Sequence, residues 1–254
     1  AYAGGEADMR FVYCAAAICT LLGDGVSGGG GEWSGLDREA ATAYVLSAVS
    51  YDSGVGLGPG QEGHGGSVYT GIAALALLGT LDRLPTPRRL VDWCVARQVG
   101  GFQGRPNKDE DTCYSFWIGA SLHLLGAGGI IHGPSVGHFA RCCQFMKGGI
   151  AKVPDSHPDV LHSYYALAGL TLAGHPLLAP LDPRFGISQR AADAAGLLLN
   201  VFHNRRLDAD IVTARGVLDS GILGDLRRLD LRCDQDDPST LEAGEGGGLL
   251  RDLG

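Results

Sequence analysis

The stretch Tyr69-Thr70-Gly71-Ile72-Ala73-Ala74-Leu75-Ala76-Leu77-Leu78-Gly79 decides the fold, because its skeleton occurs four times. Segments closing in Leu21-Leu22-Gly23, Leu124-Leu125-Gly126 and Leu172-Ala173-Gly174 follow the same plan. Two residues before each closing glycine stands a leucine (Leu21, Leu77, Leu124, Leu172). Six before it stands an alanine (Ala17, Ala73, Ala120, Ala168), and ten before it an aromatic (Tyr13, Tyr69, Phe116, Tyr164). Steps of four residues fall on one stripe of an α-helix. A glycine just past that stripe stops the helix, because it takes the left-handed conformation without a Cβ penalty. Counting back from the closing glycine therefore aligns four copies of one unit.

Between these segments lie stretches of helical periodicity at residues 36–50, 87–99, 136–146 and 188–202. They carry charge (Arg38, Glu39, Arg88, Arg89, Asp92, Arg97), whereas the repeat helices carry almost none. The contrast predicts apolar helices inside and amphipathic helices outside. Each unit then reads outer helix, glycine-rich loop, inner helix, with loops at 52–66, 100–111 and 148–159. The fold class is all-α, built of stacked helical hairpins that form either an open solenoid or a closed α/α ring. Residues 205–254 lose the period, and 244–248 is low in complexity. The expected division is a repeat domain over 1–204 and a poorly ordered tail over 205–254.

Composition narrows the function. The chain has 254 residues, 45% hydrophobic and 19% charged, which is globular rather than disordered. Apolar runs such as 72–78 are far too short to span a bilayer, so no transmembrane segment is expected. A formal charge of −8 argues against nucleic-acid binding through a basic face. Seven cysteines, an odd number with Cys142 and Cys143 adjacent, argue for a reducing compartment, the cytoplasm. The opening Ala1-Tyr2-Ala3-Gly4-Gly5 has neither a signal-peptide pattern nor an initiator methionine, and reads as a fragment missing its beginning.

The same alignment locates the chemistry. Fifteen residues before the closing glycines stand Asp8, His64, Asp111 and Asp159. Thirteen and twelve before them stand Arg10 and Phe11, Gly66 and Ser67, Cys113 and Tyr114, Leu161 and His162. In a ring, equivalent positions converge on one mouth. That mouth would hold Arg10, His64, Asp111, Cys113, Tyr114 and His162, with the loop residues Arg105, Lys108 and Lys152 above them. Asp111, Cys113 and His162 offer a carboxylate, a thiolate and an imidazole. Such a set holds zinc with one tetrahedral position open, the catalytic pattern. A capping Asp and a buried Cys account for the same residues more plainly; equivalent placement in the repeats weighs toward the metal.

Gly104-Arg105-Pro106-Asn107-Lys108, just ahead of a helix start, reads as an anion site with His64 and Tyr114 as further donors. A solvated basic loop is the plainer alternative. The chain uses only three lysines among 20 basic residues, and Lys108 and Lys152 are two of them. Lysine binds phosphate as a point charge, whereas a merely solvated loop here would use arginine like the rest of the chain. Cations beside a zinc-held thiolate suggest sulfur displacing a phosphorylated leaving group. The aromatics ten before the closing glycines read either as core or as the lining of an apolar cavity. His123, His132, His138, His175 and His203 share no spacing and read as surface or capping residues. Asp234-Gln235-Asp236-Asp237 matches the acid motif of terpene cyclases but lies in the patternless tail, so it reads as coincidence.

Four motifs carry a family resemblance: Asp8-Met9-Arg10-Phe11-Val12-Tyr13-Cys14, Glu62-Gly63-His64-Gly65-Gly66-Ser67, the 104–108 loop with Asp111-Thr112-Cys113-Tyr114-Ser115-Phe116-Trp117, and Pro154-Asp155-Ser156-His157-Pro158-Asp159-Val160-Leu161-His162. Over about residues 6–204 the chain resembles the β subunits of protein prenyltransferases, most of all those of the type I (CaaX) geranylgeranyltransferases. The resemblance implies a zinc enzyme on an α/α toroid, paired with a separate helical α subunit. It implies transfer of geranylgeranyl from geranylgeranyl diphosphate to the cysteine of C-terminal CaaX sequences, mostly CaaL, in proteins such as small GTPases. Asp111, Cys113 and His162 match the zinc ligands, and His64, Arg105, Lys108 and Tyr114 match residues that hold the diphosphate. Arg10, Phe11, Tyr13, Trp117 and Leu161 match positions around the lipid and the peptide.

Lys152 stands where farnesyltransferases resemble one another in having an aspartate that helps hold magnesium. A lysine there implies an enzyme with no magnesium requirement, and Leu161 and residues 154–159 point the same way. The alternatives are a farnesyltransferase or Rab geranylgeranyltransferase β subunit, or an inactive truncated helical-repeat isoform. Departures are specific. The family's early hairpins and its isoprenoid-length residues are absent, so the ring is expected not to close. Val153 stands where tryptophan is expected, and 23–31 reads as a glycine-rich insertion.

Overall fold

A computed structural model of the chain describes residues 7–21 and 36–193. In chain order the helices are α1 (Met9–Leu21), α2 (Arg38–Ser47), α3 (Gly65–Leu78), α4 (Pro87–Val95), α5 (Tyr114–Leu124), α6 (Gly133–Cys142), α7 (Val160–Leu172) and α8 (Gln189–Asp193). Odd-numbered helices α1 to α7 are the four repeat helices, and they pack side by side in sequence order, α1 on α3, α3 on α5, α5 on α7. Each outer helix packs on the inner helix that follows it: α2 on α3, α4 on α5, α6 on α7. The described residues are thus helical in two layers, apart from a short hairpin of β1 (Leu181–Asp182) and β2 (Ile187–Ser188) and a few single bridges.

The inner layer forms because its helices are apolar all round and must be covered on both sides. In α3 nearly every side chain from Val68 to Leu78 is buried. Each such aliphatic side chain contributes about 1.5–3 kcal/mol when removed from water. Outer helices bury one face only; in α4 it is Leu90, Trp93 and Cys94. Pro87 opens α4 at a position where a missing N–H costs nothing.

Closing glycines stop the inner helices as the repeat requires. Gly79, Gly126 and Gly174 take φ of 64°, 74° and 81°. Outer helices then lock those ends. The Arg38 guanidinium of α2 donates to Leu78 O at 2.7 Å and Gly79 O at 3.1 Å, where α3 has orphan carbonyls. A neighbouring inner helix does this for α7: His123 of α5 reaches Leu172 O at 2.8 Å, the capping rather than the surface role of the two read for it from the sequence.

Outer helices are shorter than the periodicity suggests. α2, α4 and α6 end at Ser47, Val95 and Cys142 rather than at 50, 99 and 146. There the chain folds back into one-residue β-bridges, Val49 with Val55, Gln98 with Phe102 and Gln144 with Ile150. The glycine-rich loops are therefore copies of one irregular structure. Gly60, Asn107 and Asp155 stand at the same distance before their closing glycines and all take positive φ, of 76°, 59° and 61°. Only glycine, asparagine and aspartate adopt that conformation readily, and those are the residues present.

Residues 23–31, the tail over 205–254 with its Asp234-Gln235-Asp236-Asp237 motif, His203, and the predicted outer helix beyond Asp193 lie outside the described residues.

Helix α5 crosses α7 closely at Gly169. A Cβ on Gly169 would overlap Ser115 and lie 2.8 Å from its carbonyl carbon. Gly169→Ala should therefore destabilise the fold by about 1–3 kcal/mol, whereas Ala on an exposed α7 position should not. Thermal unfolding of the two variants checks this; equal midpoints would contradict the close crossing.

Candidate metal centre and anion pocket

Every inner helix starts with N–H groups that have no acceptor within the helix, and the residue fifteen before each closing glycine supplies one. Asp8 accepts from Arg10 N at 2.8 Å, His64 Nδ1 from Gly66 N at 3.1 Å, Asp111 from Cys113 N at 2.9 Å and Asp159 from His162 N at 2.8 Å. His64 and Asp159 are the N-caps of α3 and α7, whereas Asp111 accepts from the N–H of Cys113, the residue that itself precedes α5. At Asp111, Asp159 and His64 the side chain also serves a second purpose.

Asp111, Cys113 and His162 come together. A carboxylate oxygen, the thiol sulfur and an imidazole nitrogen of these residues lie within 4.8 Å of one another. Asp111 and Cys113 are buried, Cys113 only 8% exposed. His162 Nε2 lies 3.6 Å from Asp111 Oδ1. Its other ring nitrogen, Nδ1, lies 2.6 Å from Asp159 Oδ2 and donates to it, so Nε2 is the atom turned toward the cluster. Asp159 was visible in the sequence as a repeat position but not as an orienting group; only the fold shows that its second oxygen grips the His162 ring. Burial first, then the charge of Asp111, pushes the Cys113 thiol well above its ordinary range. An uncompensated thiolate is unfavourable there, and a divalent cation would supply the compensation. One carboxylate, one sulfur and one imidazole in reach of a common point fit a borderline-soft cation held by three protein ligands.

Beside this cluster, and sharing Asp111 with it, lies a pocket of about 410 Å³ lined by His64, Arg105, Lys108, Tyr114 and Lys152, along with the acidic Asp109 and Glu110. All four residues expected at the anion site are in it. Lys152 Nζ stands 3.8 Å from Asp111 Oδ2 with its side chain 60% exposed, so it bridges the pocket and the cluster. Arg105 is held by Glu62 at 3.4 Å. Tyr114 enters because glycine leaves room. A Cβ on Gly104 would overlap its ring, and one on Gly65 would come within 2.9 Å of it.

Hydrogen bonding orders the donors. His64 Nδ1 accepts from Gly66 N, so the ring proton sits on Nε2 and is donated to the Tyr114 oxygen at 3.0 Å. Burial first, then the Arg105 charge, lowers the His64 pKa and keeps the ring neutral. Burial also pushes the Tyr114 phenol up to about 12, so it stays protonated. Its own proton is then available to an acceptor in the pocket.

The remaining expected residues lie elsewhere. Arg10 pairs with Asp8 at 2.6 Å, and its side chain is 63% exposed. Phe11 and Leu161 are exposed on α1 and α7. Trp117 belongs to an aromatic cluster, its ring 4.3 Å from Tyr165 and 5.1 Å from Tyr69. The Tyr13 and Tyr69 hydroxyl oxygens lie 3.1 Å apart, both within reach of Arg184 O. Of the aromatics left open between core and cavity, Tyr69 and Phe116 are core, each 1% exposed.

Helical hairpins whose inner-helix starts converge on an Asp–Cys–His cluster and a cation-lined pocket define a toroid-type protein with a site fit for a metal ion and an anion. The chain belongs to the prenyltransferase α/α toroid family, whose domain matches residues 1–187. It is 44% identical over 201 residues to the geranylgeranyl transferase type-1 subunit beta of Arabidopsis thaliana, covering 74% of this chain and 52% of that one. It is 42% identical over 190 residues to the same subunit of Dictyostelium discoideum, again covering 74% and 52%. Among solved structures it resembles Candida albicans protein geranylgeranyltransferase-I complexed with GGPP, with a TM-score of 0.66, 28% identity, and coverage of 74% of this chain and 56% of that one. The chain spans about half the length of these relatives.

Asp159→Asn keeps the oxygen that caps α7 and removes the carboxylate that accepts from His162. Divalent-metal affinity, measured by competition with a chromogenic chelator, should fall about 10–100-fold with little change in thermal midpoint. An unchanged affinity would mean that Asp159 is a cap and nothing more.

Proposed function

We propose that this chain is the metal-bearing part of the β subunit of a type I protein geranylgeranyltransferase, moving a geranylgeranyl group from its diphosphate to the cysteine of a CaaX, mostly CaaL, protein. The observation that carries this reading is the sharing of Asp111. One of its oxygens faces the metal cluster and the other faces Lys152 at the edge of the cation pocket. A thiol held by the cluster and a diphosphate held by the pocket would then meet at one point. Relatives named as type-1 β subunits, and a solved neighbour complexed with GGPP, support the choice of lipid.

Asp111, Cys113 and His162 would hold zinc, which when bound supplies a Lewis acid that keeps the incoming substrate thiol as thiolate at neutral pH. Lys152, Lys108, Arg105, neutral His64 and the Tyr114 hydroxyl bind and orient the diphosphate and stabilise charge on it as the C–O bond breaks. The thiolate sulfur forms the new bond to C1 of the isoprenoid, and the diphosphate leaves with the electron pair. Lys152 supplies beside the metal cluster the positive charge that magnesium would otherwise bring. Exposed Phe11 and Leu161 and the Trp117–Tyr165 pair are the apolar surfaces that the lipid and peptide would meet. A separate helical α subunit completes the enzyme, and the cytoplasm suits its six free cysteines among the described residues. Among the described residues no helix is long and apolar enough to cross a membrane.

Zinc content of the chain co-expressed with a prenyltransferase α subunit should be about one per β chain and should vanish in Cys113→Ala, with loss of geranylgeranyl transfer to a CaaL peptide. A folded wild-type complex with no zinc would overturn the reading. Lys152→Asp should make turnover depend on magnesium; activity indifferent to magnesium in that variant would remove Lys152 from the diphosphate site.

A further inference from the structure

Among the described residues three buried side-chain polar atoms have no hydrogen-bond partner, and two of them, Nε and Nη1, belong to Arg97. Arg97 follows the last turn of α4 and is 9% exposed, its guanidinium 5.0 Å over the Trp93 ring. A buried cation without acceptors is costly, so its presence needs a reason. Asp52, at the edge of the same ring, is committed elsewhere. Its Oδ1 accepts from Gly54 N and its Oδ2 from Trp93 Nε1, both at 3.0 Å. Glu62 is the carboxylate left to move. Its contact with Arg105 is 3.4 Å long with both side chains 42% exposed, a weak ion pair. Its backbone, by contrast, is pinned beside Trp93. A Cβ on the next residue, Gly63, would stand 2.8 Å from Gly54 Cα, and one on Gly54 would stand 2.9 Å from the Trp93 ring. On the far side, Gln103 N donates to Arg97 O at 2.9 Å, and the bridge of Gln98 with Phe102 brings the chain back toward Arg105. Burial lowers the Arg97 pKa, and the charges of Asp52, Cys94 and Glu62 work against that, so the Glu62 charge is felt at Arg97 as well as at Arg105.

Resting on the reading of the cation pocket as the diphosphate site, we propose that Glu62 passes from Arg105 to Arg97 when the anion enters. Arg97 is then a positioning residue that acts through Glu62. Before entry, Glu62 holds Arg105. An entering diphosphate competes for Arg105 with the higher charge and repels Glu62. The displaced carboxylate meets two unused donors on Arg97, in a buried setting where a charge-assisted hydrogen bond is strong. Arg105 is freed for the anion, and Arg97 gains its acceptor only in the bound state, so satisfying it adds to anion affinity. Without Arg97, Glu62 stays against Arg105 and opposes the ligand.

The test uses the full chain in complex with its helical α subunit, with inorganic pyrophosphate as the probe and its dissociation constant read by calorimetry. Arg97→Met should weaken pyrophosphate about fivefold, the low end of coupling between linked sites. It should not lower the thermal midpoint, because it removes an unpaired buried cation. On a Glu62→Gln background the same substitution should leave pyrophosphate binding unchanged, since the amide has no charge to hand over. Arg97→Gln supplies the same pair of comparisons where the methionine variant does not fold. Equal weakening in both backgrounds would mean that Arg97 acts only by its charge at a distance, and it overturns the hand-over; so does the absence of weakening in both. A wild-type complex that binds no pyrophosphate overturns the diphosphate pocket, and the hand-over with it.

Discussion

Orphan backbone N–H groups at the starts of the inner helices govern this molecule. Those N–H groups have no partner within their own helix, and Asp8, His64, Asp111 and Asp159 each supply one acceptor. Capping occupies one atom of the side chain and leaves another turned outward. The spare Oδ2 of Asp111 meets Lys152, the spare Oδ2 of Asp159 meets His162, and the spare Nε2 of His64 meets Tyr114. Structural necessity at four equivalent positions thus places four polar side chains at one end of the inner layer. The chemistry uses what is left over.

Close backbone approach is the second constraint. Tyr114 reaches the pocket only because Gly104 and Gly65 have no side chains, and α5 meets α7 only because Gly169 has none. Many of the glycines among the described residues serve such approaches or the positive-φ positions of the loops. Two of the pocket's cations are paired with carboxylates, Arg105 with Glu62 and Lys152 with Asp111, which holds them in place before any anion arrives. Preorganised charge of this kind costs little reorganisation when charge develops on a ligand.

How far the chain could be read from its sequence depended on periodicity. The stripe of Leu, Ala and aromatic residues before each closing glycine identified the inner helices, their direction and their stops, because helix geometry maps spacing directly onto a face. It also put Asp111, Cys113 and His162 at equivalent ends, and the 104–108 loop beside them. It did not show the loops as copies of one bridge-containing structure, since Gly60, Asn107 and Asp155 are different residues that share only a tolerance for positive φ. Outer helices ran on too long in the sequence because nothing in residues 48–50 or 96–99 forbids a helix; what ends them is a β-bridge to a residue several positions ahead.

By itself, then, the sequence determined the all-α repeat, the division into inner and outer helices, and the set of groups at their starts, since each follows from local spacing and residue chemistry. Only the tertiary structure decided which atom of each group is free to act. It turned His162 Nε2 rather than Nδ1 toward the cluster, buried Tyr69 and Phe116 where a cavity wall was equally open, and carried Arg184 and Gly186 onto four aromatics from four different helices. Those outcomes depend on contacts between residues up to 171 positions apart, from Tyr13 to Arg184. Such contacts leave no period in the chain, and they exist only once the layers have packed.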